Sequence, residues 1–235
     1  MKITCHMIMS VDGRLISKYW SPLYNASSSV TEVYEAADAK LSADGWIVGR
    51  KTMAEYSADV VEEKEPMEGH KTMQTNTFIG KREGRPLAVV FDIQGRLHYK
   101  SPTLPSGEHI VAVLGSHVTR AYQKELEEIG VSYIMRTPGS KLEETQSALK
   151  HLEQDFNVKH MLLEGGAITC GNFLQMGLVD ELSMIVYPGL DGESGHPSVI
   201  ECQGVVEPLK KNRLELIDCE TVGSGYVWLR YNIHR

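Results

Sequence analysis

Short, mostly apolar runs alternate along this chain with segments of helical period, and that alternation leaves few folds open. Ile3–Met9, Trp46–Val48, Leu87–Phe91, His109–Leu114, Val131–Met135 and His160–Leu163 are mostly apolar and do not sustain the polar alternation of a strand with one wet face. Strands of this kind are buried on both sides, which points to a parallel sheet covered by helices. Between them, Val30, Val33, Tyr34, Ala37 and Leu41 share one helical face, with Thr31 as candidate cap. The same period predicts helices from about Val118 to Ile129 and from about Leu142 to Leu152. The first aligns Tyr122, Leu126 and Ile129, and the second aligns Leu142, Thr145, Leu149, Leu152 and then Phe156.

The C-terminal third follows another rule. Leu182–Tyr187, Leu214–Cys219 and Tyr226–Tyr231 read as strands with no helix between them. The last two, joined through Gly223-Ser224-Gly225, predict an antiparallel hairpin at a sheet edge. The expectation is an α/β fold with a mostly parallel central sheet, flanking helices and an antiparallel C-terminal hairpin, as one domain over residues 1–235. Ser57–Arg85 is polar and weakly periodic and reads as a long loop. Within it, Glu62-Glu63-Lys64-Glu65 reads as a solvated face.

Composition excludes several classes. A formal net charge of −7 argues against non-specific nucleic-acid or anionic-membrane binding. The four cysteines, Cys5, Cys170, Cys202 and Cys219, form no C-x-x-C pair, so neither a metal site nor a disulfide framework is expected. No apolar run approaches the length of a membrane span or a signal segment, and a cytoplasmic protein is expected. His151-Leu152-Glu153 mimics the H-x-E of zinc deaminases, but no P-C-x-x-C follows. No G-x-S-x-G elbow, Walker A motif or G-x-G-x-x-G fingerprint is present.

Two Gly-containing strand-to-helix turns carry the chemistry that remains. Gly49-Arg50-Lys51-Thr52 follows the apolar run Trp46–Val48. Free N–H groups and the dipole at a helix start attract phosphate, Arg50 and Lys51 add charge, and Thr52 adds a hydroxyl donor. Glu164-Gly165-Gly166-Ala167 follows His160–Leu163. Its two glycines let backbone approach a ligand, and Glu164 falls where open α/β sheets bind ligands. Each turn alone is a common local solution; two at strand carboxyl ends favour a dinucleotide. A third segment, Ser10-Val11-Asp12-Gly13-Arg14, reads locally as an Asp-Gly turn that can bring Ser10 and Asp12 to a substrate. Trp20 is either a cover for a substrate ring or a loop aromatic over the core.

These motifs, with Ala37-Asp38-Ala39, Val89-Val90-Phe91-Asp92 and Gly177-Leu178-Val179-Asp180-Glu181-Leu182, resemble the reductase domain of the bacterial riboflavin-biosynthesis deaminase-reductase. That domain is of the dihydrofolate-reductase-like superfamily, and the likeness spans nearly the whole chain. The resemblance implies NADPH as hydride donor, a small-molecule substrate and a homodimer. It places Gly49, Arg50, Lys51, Thr52, Gly165, Gly166, Ala167, Ile168 and Thr169 at the cofactor, and Ser10, Asp12, Trp20 and Glu164 at the substrate, with Asp12 and Glu164 as the catalytic candidates. The family reaction reduces the ribosylamino group of a 5-phosphorylated aminouracil to the ribitylamino form. Riboflavin enzymes usually carry Asp-x-Pro and then an Arg after the first turn, whereas this chain has Ala54-Glu55-Tyr56-Ser57-Ala58-Asp59. Lys81 and Arg82 are the candidates to replace that phosphate contact. The alternatives are a reductase of the same fold acting on another heterocycle or carbonyl, and a non-catalytic nucleotide-binding dimer.

Overall fold

A computed structural model describes residues 1–25, 27–69, 77–204 and 207–235. In chain order its elements are β1 (Lys2–Ser10), α1 (Val30–Leu41), β2 (Gly45–Gly49), α2 (Arg50–Tyr56), β3 (Val60–Glu62), β4 (Thr77–Phe78), β5 (Leu87–Phe91), β6 (Leu97–Tyr99), β7 (His109–Leu114), α3 (Arg120–Ile129), β8 (Ser132–Met135), α4 (Lys141–Asp155), β9 (His160–Gly165), α5 (Ala167–Gln175), β10 (Glu181–Tyr187), α6 (Glu207–Lys210), β11 (Arg213–Val222) and β12 (Tyr226–His234). They form two compact units: a central one of Met1 and Asp44–Lys159, and a terminal one of Lys2–Ala43 and His160–Arg235.

In the central unit, β2, β5, β7 and β8 are parallel neighbours in that order, and β4 pairs antiparallel with β8. Leu87, Ala88, Val89 and Val90 are wholly buried, as are Val111 to Leu114, which is why these strands lack a polar face. Gly45 has φ +151°, and a Cβ there would lie 2.1 Å from the carbonyl oxygen of Leu87. Only glycine lets β2 enter so close to β5. Thr119 caps α3 by accepting from the Tyr122 N–H, so this helix begins at Arg120 rather than Val118. Ser140 and Glu143 form a capping box that starts α4. The buried stripe of α4 is Thr145, Ala148 and Leu152, while Leu142, in the first turn, is at the surface. The expected long loop carries β3, paired antiparallel with β6, and β4; its residues 70–76 lie outside the described residues.

In the terminal unit, β9, β1 and β10 are parallel, and β12 and β11 continue antiparallel from β10. The C-terminal hairpin stands at the sheet edge, as the sequence predicts. Helix α1 is capped by Ser29, not Thr31: Ser29 Oγ accepts from the Glu32 N–H while Glu32 accepts from the Ser29 N–H. Val33, Ala37 and Leu41 are its buried face. In α5, a Cβ on Gly171 would lie 2.0 Å from the carbonyl oxygen of Glu201, so this glycine admits the segment that follows β10. No described helix is long and apolar enough to cross a membrane.

Candidate functional site

The parallel strands of the terminal unit gather candidate residues at their carboxyl ends. Ser10 ends β1 opposite Tyr187 of β10. Ser10 Oγ, fully buried, donates to Asp12 Oδ1 at 2.6 Å and accepts from the Arg14 N–H at 2.9 Å. Asp12 also accepts from the backbone N–H groups of Asp191 and Gly192, at 3.1 and 2.8 Å. The Ser10 hydroxyl, then these two amides, hold the Asp12 carboxyl far below the usual carboxylate range. A carboxylate so held is an anchor for the 191–192 loop and a poor proton donor near neutral pH. Behind it, Arg14 donates to the His196 carbonyl oxygen at 2.6 Å, and His196 Nδ1 lies 2.8 Å from Asp191. The ring of Tyr19 stacks on His196 at 4.1 Å.

Trp20 is buried, with its ring 4.8 Å from that of Tyr187, and its indole N–H has no partner among the described residues. The structure therefore brings Ser10, Asp12 and Trp20 together at the ends of β1 and β10. Glu164, half-buried near the end of β9, shares its surroundings with Tyr34 and Cys170. Tyr34 donates to the His6 carbonyl oxygen at 2.9 Å, and burial, with the Glu164 carboxylate adding to it, pushes its phenol well above the ordinary range. The first turn of α5 follows at once. Gly165 has φ +120°, a value that favours glycine, and its peptide with Gly166 is cis. Gly166 is the N-cap of α5, with no side chain capping the helix. Ala167, Ile168 and Thr169 make up its first three positions, with Ile168 exposed at the surface.

The central unit holds the other turn. Gly49 is the N-cap of α2, again without a side-chain cap. Arg50 turns inward rather than outward: its Nη1 lies 2.6 Å from Glu62, which also sits 3.3 Å from Arg96. Beside it, Asp92 is fully buried and accepts from the Arg96 and Leu97 N–H groups at 2.6 and 2.8 Å. Burial raises the Asp92 pKa, and these amides and the Arg50 guanidinium work against that rise. Arg50 thus balances buried and half-buried acids, which leaves exposed Lys51 and half-buried Thr52 as the outward groups of the turn.

Lys81 and Arg82 do not join that turn. They precede β5, whose first residue pairs with Gly45, whereas Gly49 pairs with Phe91 at the strand's other end. Arg82 is already committed, donating to the carbonyl oxygens of Arg85 and Phe156 at 2.7 and 2.6 Å. The expected reach back to a phosphate is corrected by this placement: the pair stands at the amino ends of the strands and the turn at the carboxyl ends. Ala54–Asp59, the segment that departs from the riboflavin enzymes, completes α2, and Asp59 pairs with Lys100 at 3.1 Å. Sequence reasoning missed the Asp191–His196 support of Asp12 and the role of Asp92. An acid closing the apolar run Leu87–Phe91 was the available signal for the latter.

Parallel β-strands with a Gly turn and a polar cluster at their carboxyl ends define an α/β protein, and in open α/β sheets that end of the strands is where ligands bind. The model of the family described as the RibD C-terminal domain matches residues 1–228, and the chain belongs to that family. Among solved structures, the chain is similar to a pyrimidine reductase-like protein of Corynebacterium diphtheriae, at 18% identity and TM-score 0.66, over 100% of this chain and 92% of the other. It is also similar to the riboflavin biosynthesis reductase Rib7 of Saccharomyces cerevisiae, at 15% identity and TM-score 0.61, over 99% and 90%. RibD of Acinetobacter baumannii matches at 20% identity and TM-score 0.64, over 99% of this chain and 58% of that one. At these identities the likeness is one of fold.

Proposed function

We propose that the protein is an NADPH-dependent reductase of a pyrimidine-type substrate, acting as a cytoplasmic homodimer. The observation that carries the reading is the cluster of Ser10, Asp12 and Trp20 at the ends of parallel β1 and β10, in a chain matched by the RibD C-terminal domain over residues 1–228. The residues present fit the cofactor. Two glycines open α5, one with φ +120°, and no side chain occupies the cap position. The amides of Ala167, Ile168 and Thr169 would hold phosphate or amide groups there. In the central unit, Gly49, Lys51 and Thr52 are the proposed contacts, and Arg50 supports them from behind. NADPH, when bound, supplies the hydride.

This chain's own residues do the rest. Asp12, held ionised, fixes the 191–192 loop and presents charge rather than a proton. Trp20 and Tyr187, both buried, pack ring against ring and stiffen the end of β10 beside Ser10 and Asp12. Glu164, beside the neutral Tyr34 and Cys170, is the group proposed to hold the proton that accompanies reduction. In the riboflavin enzymes the substrate is the ribosylamino form of a 5-phosphorylated aminouracil. Ala54–Asp59 contains no Arg or Lys, and that observation favours a second reading, a related heterocycle without the family's phosphate contact.

The test is twofold. NADPH binding, read by quenching of protein fluorescence, must saturate; no binding at millimolar cofactor would sink both readings. Cofactor oxidation with the aminouracil ribosyl phosphate, compared with its dephosphorylated form and with dihydrofolate, then separates the two.

A further inference from the structure

In the terminal unit, two buried rings meet at one hydroxyl, Ser183 Oγ on β10. The indole N–H of Trp228 donates to it at 2.7 Å, and His6 Nδ1 lies 2.8 Å away. All three residues are buried, His6 and Ser183 completely. One arrangement of protons satisfies the pair. An indole nitrogen only donates, so it occupies a lone pair of Ser183. The hydroxyl has one proton, and among the described residues its acceptor is Nδ1 of His6. Were Nδ1 protonated instead, the hydroxyl proton and Nε2 would both be unsatisfied in the core. With Nδ1 accepting, the ring carries its proton on Nε2. Tyr34 fixes the ring from the other side. It stacks on His6 with centroids 4.3 Å apart and donates to the His6 carbonyl oxygen at 2.9 Å. Burial lowers the imidazole to about 4 from 6.5, so it is neutral at neutral pH.

What remains is a donor with nothing to donate to: Nε2 is buried and has no partner among the described residues. The register shows which acid stands beside it. Thr4 of β1 pairs with Leu162 of β9, and two residues further along each strand, on the same face, come His6 and Glu164. Neighbouring strands are about 4.8 Å apart, which makes such side chains neighbours. Tyr34, whose ring covers His6, also has Glu164 in its surroundings.

We infer that His6 is a positioning residue for Glu164, a neutral Nε2–H donor held ready by Ser183 and Trp228 for the carboxylate that forms when Glu164 gives up its proton. This role rests on the proton-holding part of the proposed function. In that step the Glu164 O–H bond breaks, the proton goes to the substrate as hydride is added, and the electron pair stays on the carboxylate. The His6 N–H bond stays intact throughout. A dipole already aimed at the place where charge develops stabilises that charge without rearrangement. A protonated Glu164 leaves the donor unpaired, and the ionised one satisfies it. The other ionisable groups around Tyr34 are Asp38 of α1, Cys5 of β1 and Cys170 of α5. Burial, with Glu164 adding to it, keeps the Tyr34 phenol protonated at neutral pH. A hydrogen bond with Cys5, and then burial, does the same for the Cys170 thiol. Further along the face, Glu181 of β10 takes Lys2 and Arg230, at 2.6 and 2.7 Å.

The test needs no substrate. Ring-nitrogen NMR shifts of His6 in the full chain report which nitrogen carries the proton. Carbon NMR of labelled glutamate carboxyls, with Glu164 assigned by its loss in Glu164→Gln, follows the acid through a pH titration. His6 should show Nε2 protonated and Nδ1 bare; a proton on Nδ1 overturns the inference. His6→Phe keeps the stack on Tyr34 and removes the donor, so the Glu164 ionisation constant should fall about tenfold. His6→Gln returns an N–H and should recover much of that fall. Ser183→Ala acts only through His6: it should shift Glu164 in the same direction in the wild type and add nothing to His6→Phe. A purely structural His6 would leave the Glu164 titration unmoved in all three variants, and that result refutes the role. Should His6→Phe misfold by circular dichroism, Ser183→Ala and the wild-type tautomer decide by the same readings. In cofactor oxidation with the aminouracil ribosyl phosphate, His6→Phe should lower kcat about tenfold and leave KM within about twofold. Wild-type turnover by Glu164→Gln would remove the proton-holding role itself, whereas a Glu164 that matters and ignores His6 removes only the inference.

Discussion

The Gly49–Thr52 and Glu164–Ala167 turns begin from one local plan and finish differently. Both close a parallel strand on a glycine N-cap that no side chain satisfies, and both open a helix. In the central unit the plan is set in charge. Arg50 faces Glu62 and offsets buried Asp92, so the turn is fixed by ion pairing behind it. In the terminal unit it is set in backbone. Gly165 adopts φ +120° beside the Met7 side chain, and the acid of the motif, Glu164, shares its surroundings with a tyrosine and a thiol. A cation next to a glycine turn is therefore not evidence of a phosphate contact until its own partners are known.

The largest expected effect tests the backbone half of this contrast. Gly166→Val puts a branched side chain where the proposed cofactor must approach the amides of α5. NADPH affinity should fall about 100-fold, or ~2.7 kcal/mol. Titration of a variant with native circular dichroism checks it, and unchanged affinity removes this turn from the cofactor site.

Acid should show how alike the two units are beneath their different turns. Among the described residues each buries one histidine: His6 in the terminal unit, and His109 in the central unit with Arg82 and Arg85 near enough to add to the effect of its burial. Burial lowers each to about 4 from 6.5. A folded-state pKa below the unfolded one means that the unfolded chain binds more protons between those values, so stability falls as pH drops from about 6.5 towards 4. At pH 5 the loss relative to neutral is about 2 kcal/mol for each histidine. Urea midpoints at pH 7.5 and 5 measure it, and His6→Gln or His109→Gln should each flatten part of the slope. A flat stability profile over that range contradicts both burials.

The frame of both units was legible, and the supports of the site were not. Apolar runs such as Leu87–Phe91 and His109–Leu114 announce doubly buried strands because burial on two faces demands it. The hairpin around Gly223-Ser224-Gly225 was legible for the same local reason. The cap of α1 was readable too: Ser29-Val30-Thr31-Glu32 is an S-x-x-E box, and Thr31 competes with Ser29 as a hydroxyl near the helix start. Strands β3, β4 and β6, two or three residues each, are too short to display a period. What no local pattern carries is which side chain meets which. Glu62 looks like part of a solvated acidic run, yet it takes Arg50 and Arg96. Lys81 and Arg82 are a few tens of residues from the first turn, but a whole strand length lies between them in the sheet. Ser10 and Asp12 needed loop 191–192, nearly the length of the chain away, to become a site.

The smallest expected effect is the most discriminating for the charged turn. Arg50→Ala removes the guanidinium that Glu62 and Asp92 face, with its side chain only 23% exposed. It should lower stability by about 1–2 kcal/mol, since two acids lose their compensating charge in a poorly solvated setting. NADPH affinity should change less than about threefold, the residual effect of a slightly displaced turn. Lys51→Ala should do the reverse. An exposed lysine contributes within about 0.5 kcal/mol to stability, but taking its ammonium away from the cofactor phosphate should weaken NADPH severalfold and reduce the salt dependence of binding. Measured side by side, the two variants assign each cation of the motif to fold or to ligand. If Arg50→Ala loses affinity and keeps its stability, Arg50 is a ligand-facing group after all, and the two turns are more alike than their geometry implies.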